Sequence, residues 1–380
     1  MAVTRWLGPN PRPLTGMQEA PASNLIRPSR CGSIGEGDGV GVSKTGGRNL
    51  VVEVDGVESR YRKAMRKELL SAFSGLADDL RDVQIRVCVP KDFDAAVTEA
   101  QQGAHDSDVR FVARQRHHTV GGTVVPAPSN SGLSFVILFG PTAFGRRGRE
   151  AERWRLHMYA HEATHVIDDL WRHAQVGNER FFGTPTTVRD LFLTWAHVMT
   201  SEYRAERWAV DADAGFRHDA RALRRADSVR FDRDVEGLVS ALKELPAWLT
   251  WIAGALPTRV MTFAEFFRSV SERITEVLRV AAYASARSDA LSRSFSSLIA
   301  LRGQPKHNFF FETWDNIWPK LRSMASSSGG YDEGRLWEVA ELLIGFYDVC
   351  GIHFRDGPDG IRVGVSVPSF GRPDPGYIGR

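Results

Sequence analysis

The chain has 380 residues, 42% of them hydrophobic, which is enough apolar material for one large domain or two ordinary ones and excludes both a disordered chain and a small scaffold held by disulfides. With 49 basic and 46 acidic groups the formal charge is only +3, and the arginines are scattered with no base-stacking module beside them, so no nucleic-acid partner is expected. The cysteines, Cys31, Cys88 and Cys350, are odd in number, widely separated and match no C-x-x-C spacing, which favours a reduced compartment.

The first residues contain no apolar run of signal-peptide length, and the greasiest stretch, between Pro246 and Pro257, is about half of the ~20 residues that a spanning helix needs. A cytoplasmic location and no membrane partner are the expectation, with secretion lacking an N-terminal signal left open. Residues 1–48 are rich in Pro, Gly and Ser and cannot repay their ordering entropy by burial, so they read as an irregular or flexible arm. The glycines between Gly32 and Gly47 fail the phosphate-loop spacing despite Lys44 and Thr45.

Order is predicted from Leu50 on: strands at 50–54, 83–89, 109–114, 119–125 and 134–140, with a helix at 59–76. This describes a mixed sheet with one helix across it. An edge of such a sheet can hold an extended peptide by main-chain hydrogen bonds. Arg146, Arg147 and Arg149, just beyond it, are readable as a steering patch for acidic substrates or, more simply, as solvated surface.

The stretch that follows carries the chemistry. Leu156, Tyr159, Ala160, Ala163, Val166, Ile167 and Leu170 recur at helical spacing and predict a buried face, while His157, His161, His165 and Asp169 form a separate stripe one turn apart. His161-Glu162-x-x-His165 is the H-E-x-x-H spacing of zinc hydrolases, because residues four apart on a helix stand one above the other and both imidazoles reach one metal ion. Glu162, one step round, is then placed to act as general base toward a metal-activated water. A structural histidine ladder is the plain alternative.

Catalytic zinc takes three protein ligands. No histidine follows at the short spacing, since Trp171 stands there, and the candidate is Glu202 on a helix running back antiparallel from Val188 after a loop through 177–187. Glu206 lies one turn further on the same face, where its carboxylate can orient a ligand imidazole. The plain alternative is an amphipathic helix with exposed glutamates. Glu265 is a lesser candidate, flanked by aromatic residues that favour a core helix.

These residues carry a resemblance. His161 to His165 followed by Glu202 resembles the gluzincin zinc metallopeptidases, and the run His161 to Asp169 together with Glu202-x-x-Ala205-Glu206 is similar to the peptidase domains of the anthrax lethal factor type. The second segment also resembles the E-x-x-A-D helix of integral-membrane and cytosolic regulatory gluzincins, with Glu206 in place of the aspartate. The resemblance covers about fifty residues, 157–209, and implies Zn²⁺ as cofactor, His161, His165 and Glu202 as ligands, Glu162 as base, and Asp169 or Glu206 behind the ligands. No residue matches the group that stabilises the oxyanion in many gluzincins; His157, His197 and Tyr203 are candidates.

Beyond residue 213 the periodicity predicts helices at 213–226, 232–253 with a break at Pro246, 262–287, 289–301 and 333–349, then a hairpin through Gly357-Pro358-Asp359-Gly360. Phe310, Trp314, Ile317, Trp318 and Leu321 keep helical spacing and read as core. The fold expected is α+β: a zincin-like domain at 49–212 with an N-terminal mixed sheet, and a mainly helical C-terminal extension at 213–380. The function expected is zinc-dependent hydrolysis of a peptide or protein substrate. Other readings are a metal-binding regulatory or interaction protein without robust peptidase activity, and a toxin-like protease effector with one target. Oligomeric state is not legible.

Overall fold

A computed structural model describes residues 3–6, 40–42, 50–79, 83–104, 121–129, 132–141, 144, 148–215, 220–255, 262–295, 299–302, 304–326, 330–358, 360–366 and 368. In chain order the elements are β1 (Val3–Trp6), β2 (Val40–Val42), β3 (Leu50–Val54), α1 (Ser59–Asp79), β4 (Gln84–Val89), α2 (Phe93–Ala104), β5 (Gly122–Ser129), β6 (Gly132–Phe139), α3 (Arg149–Phe182), α4 (Val188–Gly215), α5 (Ala220–Ala255), α6 (Phe263–Leu291), α7 (Ile299–Arg302), α8 (Pro305–Ser326), α9 (Glu333–Val349), β7 (Ile352–Gly357) and β8 (Gly360–Val365). The protein is mixed α+β and mostly helical. It divides into two compact units, a sheet unit holding β2 to β6 with α1 and α2, and a helical unit holding α3 to α9 with β1, β7 and β8.

In the sheet unit the strand order is β2-β3-β4-β6-β5, with β3, β4 and β6 parallel and both edge strands antiparallel. Neighbouring residues of a strand face opposite ways. Phe139 accordingly meets Phe73 of α1, ring centroids 6.1 Å apart, while Leu138 and its partner Cys88 pack with Ala96 and Val97 of α2. The predicted mixed sheet is present, but a helix covers each face rather than one. The stripe of α2 is small residues, Ala96, Val97 and Ala100, and gives a weak periodic signal. β5 carries Pro126 and Pro128, which an edge strand tolerates because their missing N–H groups break no central ladder.

In the helical unit α4 packs against α3, α6, α8 and α9, and its apolar residues Phe192, Leu193, Ala196, Met199 and Tyr203 belong to one core shared with α5, α6, α8 and α9. The units therefore do not divide at the expected boundary after residue 212: α3 and α4 group with the C-terminal helices, because α4 is buried among them. Phe310, Trp314, Ile317 and Leu321 are in that core, as read from their spacing, and Trp318 packs against it. The hairpin β7–β8 is present and takes β1 as a third strand.

Several local expectations are corrected. α5 passes through Pro246 without ending, since Leu242, Leu245, Leu249 and Ile252 on either side are buried and their packing outweighs the roughly 3 kcal/mol that an interior proline costs. α3 continues past Gly177, whose φ of 73° only glycine adopts readily, for one more turn before Gly183 caps it. The predicted helix 289–301 is not continuous: Ser292 ends α6 in a left-handed conformation, and among the described residues of that span the next helical element is α7. The predicted helix 213–226 straddles the end of α4 and the start of α5. Most of the arm, strand 109–114, Cys31, Arg146 and Arg147, and the side chain of Arg149 lie outside the described residues. Cys88 and Cys350 are free and buried. Among the described residues no helix is long and apolar enough to cross a membrane.

Candidate metal centre

Three helices of the helical unit build the site. α3 and α4 run antiparallel, since His157 meets Glu206, His165 meets Ser201, Asp169 meets His197 and Arg180 meets Asp190 in descending order. α6 runs the same way as α4, pairing Tyr283 with Glu202 and Arg287 with Glu206. Its N-terminus is fixed by a capping box between Thr262 and Glu265. Glu265 is thereby spent on the cap and is removed from consideration as a ligand. Ala281, Ala282, Ala284 and Ala286 keep α6 slim and fully buried here.

The rings and carboxylates converge. Glu202 Oε2 lies 3.4 Å from His161 Nε2 and 3.6 Å from His165 Nε2. Single donor atoms from His161, His165 and Glu202 all fall within 4.8 Å of one another, the span of a metal-ligand set. Each ring is held from behind: His161 Nδ1 is 3.3 Å from Glu206 Oε2, and His165 Nδ1 is 2.8 Å from Ser201 Oγ. A proton on each Nδ1, shared with those acceptors, leaves both Nε2 lone pairs facing Glu202, which is the tautomer that a metal requires. His157, His161 and Glu206 form a second such triple, but Glu206 Oε1 is occupied by Arg287, and a guanidinium there opposes a second cation.

The charges at the site are linked across the three helices. Burial lowers the affinity of His161 for a proton, yet hydrogen bonds to Glu202 and Glu206 and the charges of Glu162 and Glu206 overcome it and raise its pKa to about 10. Burial works to raise the Glu202 pKa as well, but Arg279 and the hydrogen-bonded His161 and His165 hold it well below the usual carboxylate range. The two-nitrogen, one-carboxylate set fits Zn²⁺, which takes His and Glu ligands in catalytic sites.

Glu162 is 5% exposed, and its pKa is raised chiefly by that burial, with His161 and His165 pulling the other way. Among the described residues it makes no hydrogen bond, so its carboxylate is available as a proton acceptor. Of the six residues singled out in the sequence, His161, Glu162, His165, Glu202 and Glu206 are brought together. Asp169 is not: it lies 3.5 Å from His197 Nε2, two turns of α3 away from His161. The three oxyanion candidates also fall elsewhere or are committed: Tyr203 donates to Asp289, His197 faces Asp169, and His157 is tied to Glu206 and stacks on Trp154. A cleft of about 330 Å³, counting space open to solvent, is lined by Asp168, Trp171, His197 and Tyr331 and contains none of the donors.

The sequence reading places a helix at 262–287 but gives it no part in the site beyond the lesser candidate Glu265. Tyr283 donates to Glu202 Oε2 at 2.6 Å and stands edge-on to His161, and Arg279 Nε lies 3.1 Å from Glu202 Oε1. The signal was present: Arg279, Tyr283 and Arg287 recur four residues apart in a helix of alanine and valine, a polar stripe on a helix too apolar to be exposed. Comparison with family models, with curated proteins and with solved structures returns no match.

Proposed function

We propose that the chain is a zinc-dependent metallopeptidase with a zincin-like arrangement of helices, holding Zn²⁺ on His161, His165 and Glu202. One observation carries this reading: two imidazole Nε2 atoms from one H-E-x-x-H helix meet one carboxylate oxygen from the next helix, with both Nδ1 atoms already engaged. Zn²⁺ bound there supplies Lewis acidity, polarising a carbonyl and acidifying a water toward pKa ~7.

The remaining work falls to side chains. Glu162, buried and free of hydrogen bonds among the described residues, takes the proton of the attacking water and delivers it to the leaving amine. Its raised pKa suits the second half of that exchange. Tyr283 is kept protonated by burial and by Glu202, and its hydroxyl, donated to Glu202 Oε2, orients that carboxylate beside the two imidazoles. Glu206 and Ser201 hold the ligand rings in orientation, and Arg287 secures Glu206.

A second reading has an observation of its own. Arg279, Arg287 and Tyr283 already pair with Glu202 and Glu206, as they would in a purely structural charged core. Metal analysis separates the two. The peptidase reading expects about one zinc per chain, zinc retained in Glu162→Gln, and peptide cleavage in that variant reduced by ~10² or more. Zinc-free wild-type protein, or full cleavage by Glu162→Gln, overturns it.

A further inference from the structure

We propose that Arg279 reads a carboxylate on the substrate close to the bond that is cut; this rests on the peptidase reading and names the substrate class it implies. Two arginines of α6 face the site two turns apart, and their situations differ. Arg287 has a side chain 7% exposed, with Nε on Glu206 and Nη1 2.7 Å from Asp234 Oδ2, so it bridges two carboxylates as a fixed strut. Arg279 has a side chain 22% exposed, and among the described residues its one ion pair is through Nε to Glu202 Oε1. Among the described residues neither of its terminal amino groups makes a hydrogen bond or ion pair.

A guanidinium held by one corner and open along its other edge presents parallel N–H donors matched to the two oxygens of a carboxylate. The position adds to the match. The ion pair at Nε sets the guanidinium beside a ligand of the proposed metal, so whatever binds the open edge lies near the reacting carbonyl. A neutral peptide oxygen needs only one donor; a charged and bidentate one is of use where the substrate brings a negative charge. Two sources supply that charge: the free carboxyl end of a peptide, or an Asp or Glu side chain.

The test uses zinc-loaded Glu162→Gln protein, so that binding is read without turnover. Three probes are titrated calorimetrically: acetyl-Ala-Ala-Phe as the free acid, the same peptide as its amide, and acetyl-Ala-Asp-Phe amide. At least one carboxylate-bearing peptide is expected to bind about tenfold tighter than the neutral amide, and whichever it is identifies the source. Adding Arg279→Gln should abolish the preference, read as the ratio of carboxylate-peptide to neutral-amide affinity in the same zinc-loaded protein; Arg279→Lys should restore only part. Equal binding of all three probes, a preference that survives Arg279→Gln, or loss of zinc in that variant each overturns the proposal, the last by assigning Arg279 to holding Glu202. Cleavage of the same peptides by protein with Glu162 intact is scored separately. Preference without cleavage defeats only the peptidase reading, and cleavage without preference defeats only this one.

Discussion

Helix α4 has two buried faces of opposite character. On one, Phe192 and Trp195 join Tyr347 and Phe354 in an aromatic cluster with ring centroids 4.9 to 5.8 Å apart. On the other, Ser201, Glu202 and Glu206 meet the imidazoles of α3, and the same carboxylates meet the arginines and tyrosine of α6. The first face is stabilised by area removed from water and asks only that its neighbours fill space. The second is stabilised only if each charge finds a partner, because a buried ion left alone costs several kcal/mol, and even a paired one is often no better than a well-packed apolar replacement. The aromatic face explains why the helices stay together. The polar face is weak as a source of stability, and its donors are grouped as a set that could hold a cation.

The contrast can be broken at its stronger end first. Truncating Phe192, which is fully buried, to alanine should cost about 3–5 kcal/mol, the usual range for a buried aromatic, measured as a lower urea midpoint. A loss under about 1 kcal/mol would show that the aromatic face is not what holds α4 in place. Zinc per folded chain should be unchanged, since no ligand lies on that face.

How far the sequence carried differs between the same two faces. H-E-x-x-H was legible because its meaning is local: helical spacing alone puts His161 and His165 on one side. Glu202 and Glu206 were singled out because a zinc reading asks for a third ligand and one glutamate-bearing helix follows at a suitable distance, and the structure sets both beside the imidazoles. Arg279 and Tyr283 lie some eighty residues further on, and nothing local says that α6 returns to lie along α4. Asp169, which the resemblance offers beside Glu206 as a residue behind the ligands, shares the stripe of His161 but faces His197. In the fold, β3, α4, α6, α9 and the hairpin follow from periodicity and turn chemistry. The passage of α5 through Pro246 does not, being decided by the core around it.

A subtler break concerns the polar face itself. Ser201 is buried, and its hydroxyl meets His165 Nδ1. Ser201→Ala removes that contact without adding charge or bulk, so stability should fall by only about 1 kcal/mol. Zinc affinity, read by competition with a chelator, should fall ~10- to 100-fold, the typical effect of losing a group that orients a ligand imidazole. A large loss of stability with unchanged zinc affinity would place Ser201 with the core rather than with the metal centre.

The smallest effect is expected at the far end of the α3–α4 pair, where charges are neither buried nor used. Arg180, in the extra turn of α3 beyond Gly177, bonds both Asp190 at the start of α4 and Glu333 at the start of α9. Hydrogen bonding to Arg180 lowers the Glu333 pKa, and at Asp190 partial burial is outweighed by hydrogen bonds from Thr187 and Arg180, so both carboxylates titrate below their ordinary values. Groups whose pKa is depressed by folding contribute stability that is complete above the unfolded value, near pH ~4, and lost as pH falls through the folded one. Because these side chains are about a third exposed, solvent screens them and the contribution should stay below about 1 kcal/mol. Arg180→Gln should therefore lower the urea midpoint slightly at pH 7, and the difference from wild type should close below about pH 4. A difference that persisted undiminished in acid would mean that Arg180 acts through its packing over the turn at Gly177 rather than through its charge.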